Sequence, residues 1–147
     1  MKTIFSFFLL IVIPFVTMQA QNRNIKGRVL TEDLRTAPLI SIKIDDSVEV
    51  GKTDLNGFFE INIPPTIQKL LIKGDGYIMD ANITLLDSCN EVEVVVMARG
   101  TYDFISLKKA DRLRKKRFKK LPASHLEAFS RGLFKTQTPC YKREYTP

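Results

Sequence analysis

Lysine and arginine are concentrated in one short segment near the end of the chain. From Arg112 to Lys120, seven of nine residues are basic, and charge of that density attracts polyanions. The predicted anion-binding residues are Arg112, Arg114, Lys115, Lys116, Arg117, Lys119 and Lys120. Two interpretations fit this segment. It either contacts an anionic partner, or it is the solvated side of a helix whose apolar side packs on the rest of the protein.

Residues that commonly perform catalysis or bind metal ions are sparse. His125 is the only histidine, and its spacing from Glu127 is not that of a zinc-binding pair. We expect His125 to be an exposed residue in the first turn of a helix. Residues 54–57 resemble the start of a calcium loop, but Phe59 and Pro65 stand where an EF-hand needs Gly and Glu. The sequence therefore predicts no enzymatic activity, no metal site and no cofactor.

The chain contains two cysteines, Cys89 and Cys140. In an exported chain, two cysteines more often pair than act in catalysis, so we expect a disulfide between them. The alternative is a thiol nucleophile that acts with His125. In the chain-entropy model, a disulfide that closes a loop of about 50 residues contributes about 4 kcal/mol to stability.

The first residues have the pattern of an export signal. Lys2 precedes an apolar segment at residues 4–16, and Ala20 follows as a small residue at the expected cleavage point. That segment is shorter than the roughly 20 apolar residues of a membrane-spanning helix. We predict a signal peptide at residues 1–20 and a mature chain that is periplasmic, outer-membrane associated or extracellular. Nucleic acid is not an expected partner for such a chain.

Charge divides the rest of the chain into two parts. Residues 21–98 contain 8 Lys and Arg against 12 Asp and Glu, whereas residues 99–147 contain 14 against 4. Parts of opposite net charge either attract each other or contact different partners. We treat residues 21–98 as one domain and residues 99–147 as a basic helical C-terminal extension.

Short runs in residues 25–98 alternate between apolar and polar side chains. Ile40, Ile42 and Ile44 are one example, and this period of two is typical of strands with one buried face. Asn56 and Gly57 predict a type I′ turn in a hairpin. Seven such runs separated by turn residues predict a mainly β, seven-stranded antiparallel sandwich.

The apolar period changes to that of a helix after residue 100. One side of a helical wheel carries the apolar residues Phe104, Leu107, Ala110, Phe118 and Leu121. We expect this helix to end before Pro122. Ser124 and Glu127 then predict a capping box at the start of a second helix, which stops at Gly132.

Parts of the sandwich domain resemble a known family. Four segments are similar to the carboxypeptidase-like regulatory domain. They are residues 25–29 with their Gly-x-Val pattern, the Pro-Leu-Ile-Ser-Ile step at 38–42, residues 52–61 with Thr-Asp-Leu-Asn-Gly-Phe, and Gly76-Tyr77. The resemblance covers about residues 24–98. It implies a seven-stranded transthyretin-like (prealbumin-like) sandwich without catalytic residues. Such domains accompany zinc carboxypeptidases and form N-terminal extensions of TonB-dependent receptors.

Three functions fit these features. The first is an exported, non-catalytic binding or scaffold module of a bacterial cell envelope, with a protein or another envelope component as its partner. The second is an adaptor that binds anionic lipid or polysaccharide through residues 112–120. The third is an accessory subunit of an outer-membrane receptor or peptidase system, which the edge strand of an open sandwich would join to its partner.

Overall fold

The computed structural model describes residues 21–146, which contain eight strands and two helices. The strands are β1 (Arg23–Thr31), β2 (Ser41–Ile44), β3 (Val48–Lys52), β4 (Phe58–Ile63), β5 (Lys69–Lys73), β6 (Ala81–Leu85), β7 (Glu91–Val96) and β8 (Tyr141–Arg143). The helices are α1 (Leu107–Phe118) and α2 (Leu121–Ser130). The mainly β class is confirmed. The predicted signal peptide lies outside the described residues.

The smaller of two sheets has the strand order β4-β1-β7. Its central strand, β1, runs antiparallel to β4 and parallel to β7. The prediction of a purely antiparallel sandwich is therefore wrong. Side-chain alternation shows which face of a strand is buried, but it does not show the direction of the neighbouring strand. A parallel pair needs a long crossover, and the chain from β2 to β6 supplies it here.

Gly27 allows the strands of the smaller sheet to pack closely. It lies opposite Phe59 of β4 and Val92 of β7. A Cβ atom at this position would lie 1.8 Å from the carbonyl oxygen of Val92 and 2.7 Å from the Phe59 ring. A larger side chain at position 27 would clash with both neighbouring strands, so the close packing of this sheet requires glycine there.

The larger sheet has the strand order β3-β2-β5-β6-β8, and its neighbouring strands are all antiparallel. Its apolar face packs against that of the smaller sheet. On β4, Phe59, Ile61 and Ile63 are buried and the residues between them are exposed, as the period of two predicts. The shared core also includes Ile25, Val29, Ile42, Ile72, Ile83, Val92, Val94 and Val96.

The turn at residues 54–57 joins the two sheets and does not close a hairpin. Asp54 Oδ1 accepts hydrogen bonds from the backbone N–H of Asn56 and of Phe58, each at 2.8 Å. Gly57 has a φ of +80° whereas Asn56 has no positive φ, so the predicted type I′ geometry is wrong here. Strand β3 before this turn belongs to the larger sheet, and β4 after it belongs to the smaller one.

A turn with two positive φ angles occurs instead between the paired strands β2 and β3. Asp45 and Asp46 have φ angles of +50° and +58°, and the backbone N–H of Ser47 donates to the carbonyl of Ile44 at 3.3 Å. Aspartate tolerates the left-handed region because its short polar side chain forms local hydrogen bonds.

Helix α1 begins after Ser106, whose hydroxyl accepts a hydrogen bond from the backbone N–H of Lys109 at 3.3 Å. The helix ends at Phe118, before Pro122 as predicted. Neither helix of the described chain is long and apolar enough to cross a membrane.

Helix α2 begins at Leu121, so the predicted capping box at Ser124 is wrong. Pro122 occupies the first turn of α2, where the missing N–H breaks no intrahelical hydrogen bond. Proline is disfavoured inside a helix but accepted in its first turn, so Pro122 is compatible both with the end of α1 and with the start of α2. The rule for the helix end therefore did not show where α2 begins. Gly132 follows α2 with a φ of +69°, which agrees with its predicted role as a stop.

The helical extension packs on the outer face of the smaller sheet. A second apolar cluster joins Leu30, Val95 and Met97 of the sandwich to Leu121, Ala128 and Phe134 of the extension. Strand β7 is therefore buried on both faces, with Val92, Val94 and Val96 directed into the sandwich. The apolar side of the predicted helix packs at Ala110 and Phe118 as well, but Phe104 and Leu107 are exposed.

The end of the extension joins the larger sheet. Strand β8 pairs with β6, with Tyr141 opposite Leu85, in a segment where the sequence shows no period. The predicted disulfide is confirmed: Cys89 is bonded to Cys140, which directly precedes β8. The extension is thus attached to both sheets of the sandwich.

Candidate functional site

Helix α1 presents a continuous cationic face, which we call the basic surface. It consists of the exposed residues Lys108, Lys109, Arg112, Lys115, Lys116, Lys119 and Lys120. Successive residues of a helix are about 100° apart, which places Lys108, Arg112, Lys115 and Lys116 on the side opposite the buried Ala110. Lys109 lies at the edge of that side, and Lys119 and Lys120 directly follow the last residue of α1. None of the seven forms an ion pair with a carboxylate among residues 21–146.

The structure places the seven predicted anion-binding residues in three settings. Five of them belong to the basic surface: Arg112, Lys115, Lys116, Lys119 and Lys120. The guanidinium of Arg114 lies over the ring of Tyr102, 4.8 Å from its centroid. Arg117 faces inward. Lys108 and Lys109 are not among the predicted anion-binding residues because they precede the dense basic run, although the helical period already places Lys108 on the same side as Arg112 and Lys116.

Arg117 fixes α1 to the sandwich. Its guanidinium forms an ion pair with Glu32, donates to the Tyr102 hydroxyl at 2.9 Å and donates to the carbonyl of Ala98 at 2.6 Å. The hydrogen bonds to the Glu32 carboxylate raise the pKa of Arg117 above its usual value. Glu32 also accepts from the backbone N–H of Ala98 at 3.2 Å. This network orients the basic surface but is not part of it.

We predict that Arg117→Met lowers the free energy of unfolding by about 2 kcal/mol, because the partly buried Glu32 carboxylate loses its charged partner. Chemical denaturation measures the change. Lys116→Met is the matched control, since it removes one exposed charge from the adjacent position and is expected to change stability by less than about 0.5 kcal/mol. Equal losses in both variants would contradict the assigned role of Arg117.

Glu93 holds the extension where it crosses β7. Its side chain is 3 % exposed, and its carboxylate accepts hydrogen bonds from the backbone N–H of Lys135 at 2.7 Å, the backbone N–H of Thr136 at 2.9 Å and the Thr136 hydroxyl at 2.7 Å. Three donors satisfy a buried carboxylate without a positive charge. The sequence did not reveal this role, because its partners follow 42 and 43 residues later.

A cavity of about 270 Å³, which we call the ligand pocket, lies between β7, β8 and the two helices. Most of its wall is apolar. The lining residues are Val95, Phe118, Lys119, Leu121, Pro122, His125, Pro139, Tyr141 and Arg143. No Asp or Glu belongs to this lining, and burial raises the pKa of Tyr141 to about 12, so its hydroxyl is uncharged at neutral pH. The pocket therefore combines apolar walls with cationic or neutral polar groups.

His125 is a buried residue of the ligand pocket, and the prediction that it is exposed is wrong. Because α2 begins at Leu121, His125 lies one turn further along on the same buried side and is 2 % exposed. Its Nε2 lies 3.0 Å from the carbonyl oxygen of Thr136. A carbonyl only accepts, so Nε2 carries the proton and Nδ1 is an acceptor. Nδ1 has no partner in the described part of the chain.

Arg143 is a partly buried arginine without an acidic partner among the described residues. Its Nη1 donates to the carbonyl of Val95 at 2.8 Å, and its guanidinium carbon lies 5.5 Å from the centroid of the Phe118 ring. No carboxylate of residues 21–146 pairs with it. Burial lowers the pKa of Arg143, because desolvation disfavours the charged form. The charge is nevertheless retained at neutral pH.

The remaining described residues do not add a site for metal or thiol chemistry. Among residues 21–146, no group of three or more His, Cys, Asp and Glu side chains is arranged to hold a metal ion. Both cysteines are consumed by the disulfide. The basic surface and the ligand pocket are therefore the two candidate binding sites. No protein-family model matches this chain, and no curated protein or solved structure matches it.

Proposed function

We propose that the chain is an exported, non-catalytic binding module of a bacterial cell envelope, and that it binds anionic lipid head groups through the basic surface. The observation that carries the proposal is the set of seven exposed cations on α1 and the two residues that follow it, none paired with a carboxylate of residues 21–146. Each Lys or Arg near an anionic membrane contributes about 1 kcal/mol to binding.

The position of two of these cations favours a binding role over simple solvation. Lys108 and Lys109 lie in the first turn of α1, which has no acidic residue. Positive charge at a helix N-terminus is unfavourable by roughly 0.3–1 kcal/mol per residue. The sequence therefore carries a stability cost in this turn, and an anionic partner would offset it.

Two exposed apolar residues favour a lipid surface over a polysaccharide. Phe104 and Leu107 lie at the N-terminal end of α1 and are almost entirely exposed. Phe104 has a φ of +64°, a conformation that costs a bulky residue on the order of 1 kcal/mol. Interfacial helices combine a basic face with such apolar groups, which enter the boundary between head groups and acyl chains.

The disulfide and the core support the export and fold parts of the proposal. A disulfide is typical of proteins outside the cytoplasm, which agrees with a signal peptide at residues 1–20. Three features support a transthyretin-like sandwich related to the carboxypeptidase-like regulatory domain. They are the close contact at Gly27, the positive φ of Gly57 and the two packed sheets. In this proposal the sandwich holds the extension in place, and the extension binds the lipid head groups.

The proposal is tested with the mature chain from Gln21 and vesicles that contain anionic lipid. We predict that the triple variant Lys108→Gln, Arg112→Gln, Lys116→Gln weakens vesicle binding on the order of 100-fold, because three contributions of about 1 kcal/mol are removed. Co-sedimentation with vesicles of increasing lipid concentration measures the partition coefficient.

The matched control is the triple variant Lys26→Gln, Lys52→Gln, Lys69→Gln, which removes the same charge from exposed positions of the sandwich. It is expected to bind vesicles as the wild-type chain does. Equal weakening in both variants would show that net charge alone decides binding, and would contradict the proposal. Tight binding to a soluble anionic polysaccharide without binding to vesicles would assign the basic surface to a different partner and would also contradict it.

A further inference from the structure

We propose that the ligand pocket binds a small amphipathic monocarboxylate, whose carboxylate pairs with Arg143 and whose apolar part contacts the walls formed by Val95, Phe118 and Leu121. Lys119 of the basic surface also lines this pocket, but the proposed carboxylate partner is Arg143, and the inference does not depend on the proposed membrane function.

Arg143 supplies the charge complementarity. The structure records one hydrogen bond for its guanidinium, to the carbonyl of Val95, and a guanidinium has five N–H donors. Arg143 is partly buried, and within residues 21–146 its guanidinium contacts only a backbone carbonyl and the face of the Phe118 ring. A ligand carboxylate would accept from the remaining N–H groups in the two-point geometry that guanidinium favours.

His125 contributes a buried ring to the wall of the pocket. Its Nδ1 is an acceptor without a partner among residues 21–146, while Nε2–H is held by the carbonyl of Thr136. Nδ1 itself is closed to a water-sized probe, so the ring contributes wall surface to the pocket and Arg143 supplies the polar contact for the ligand. A few polar groups among apolar walls are typical of a small-molecule site.

The size of the cavity limits the ligand. A volume of about 270 Å³ lies just below the usual range of drug-sized pockets, roughly 300–1,000 Å³. A water molecule occupies about 30 Å³ in the liquid, so the pocket accommodates roughly nine groups of that size. A fatty acid of about six carbons or a benzoate-like aromatic acid fits this volume.

The experiment is a titration of the mature, oxidised chain from Gln21, observed by amide chemical shifts in NMR. The probes are hexanoate and benzoate, each compared with its neutral counterpart, hexanol or benzyl alcohol. We expect each acid to bind roughly 10- to 100-fold more tightly than its alcohol, with the largest shifts at Val95, Leu121 and Arg143. Because this comparison uses the wild-type protein, it does not depend on the folding of any variant.

The variant Arg143→Gln is expected to weaken the binding of the acids roughly 10- to 100-fold and to leave the alcohols nearly unchanged. Arg35→Gln, an exposed arginine away from the pocket, is the matched control. The triple variant of the basic surface should retain the affinity for both acids, so a failure here and a failure of membrane binding are distinguishable. Equal affinity for acid and alcohol, shifts confined to α1, or no binding of either acid would overturn the proposal.

Discussion

Loss of the disulfide is expected to lower the free energy of unfolding by about 4 kcal/mol. The bond between Cys89 and Cys140 closes a loop with a sequence separation of 51 residues, so its absence returns that loop's conformational freedom to the unfolded chain. Alanine at both positions is the suitable variant, since Cys89 is buried and alanine introduces no polar group there. Denaturant titration of the oxidised wild-type chain and of this variant measures the difference.

Two controls separate the bond from the side chains. The reduced wild-type chain and the single variant Cys140→Ala both lack the bond, and both should be destabilised to about the same extent. Reduction should also make trypsin cleavage after Lys142 and Arg143 fast, because β8 directly follows Cys140. A double variant within about 1 kcal/mol of the oxidised wild type would show that β8 is held mainly by its pairing with β6.

Glu93→Ala is expected to lower the free energy of unfolding by roughly 3–5 kcal/mol. The change leaves two backbone N–H groups, of Lys135 and Thr136, without their acceptor at the position of the buried Glu93 side chain. Each buried donor left unsatisfied costs roughly 1–3 kcal/mol, and the missing carboxylate adds a cavity. Glu93→Gln retains one acceptor oxygen and should lose less.

Glu91 provides the comparison for this effect on the same strand. Its carboxylate pairs with Nζ of Lys135, whose side chain is 71 % exposed, and exposed ion pairs contribute at most about 1 kcal/mol. Glu91→Ala should therefore change stability by less than about 1 kcal/mol. If Glu91→Ala were as destabilising as Glu93→Ala, the buried hydrogen bonds of Glu93 would not be what holds the extension.

Local patterns in the sequence were sufficient to locate strands β1 to β7 and the disulfide. The alternation of Phe59, Ile61 and Ile63 gives the buried face of β4 directly, because a strand has a period of two wherever one face is buried. Pairing of the two cysteines followed from the export context and from their number. Gly132 marked the end of α2 for the steric reason that glycine accepts a positive φ.

Features that depend on distant parts of the chain were not predictable in this way. The parallel pairing of β1 with β7 is decided by how the chain between them crosses the sandwich. Strand β8 has three residues, too few to show a period, and it is held by β6 and by the disulfide. Glu93 has the appearance of a solvent-facing strand residue because the helical extension that covers it follows some 40 residues later.

The same limit applies to the candidate sites. The density of Lys and Arg in α1 pointed to the basic surface, but only the contacts of Arg117 with Glu32 show that this residue serves the fold. No pattern in the sequence predicted the ligand pocket. Val95, Leu121, His125 and Arg143 come from three elements, and each reads separately as a core or surface residue.

The most direct test of the proposed function is the affinity of the mature chain for anionic and neutral vesicles at about 50 mM and about 500 mM salt. Screening shortens the reach of exposed charges to a few Å at high salt. We predict binding to anionic vesicles that weakens steeply as salt rises, and little binding to neutral vesicles. Affinity that is unchanged by salt, or equal for both vesicles, would contradict the account of the basic surface as the lipid-binding part of the protein.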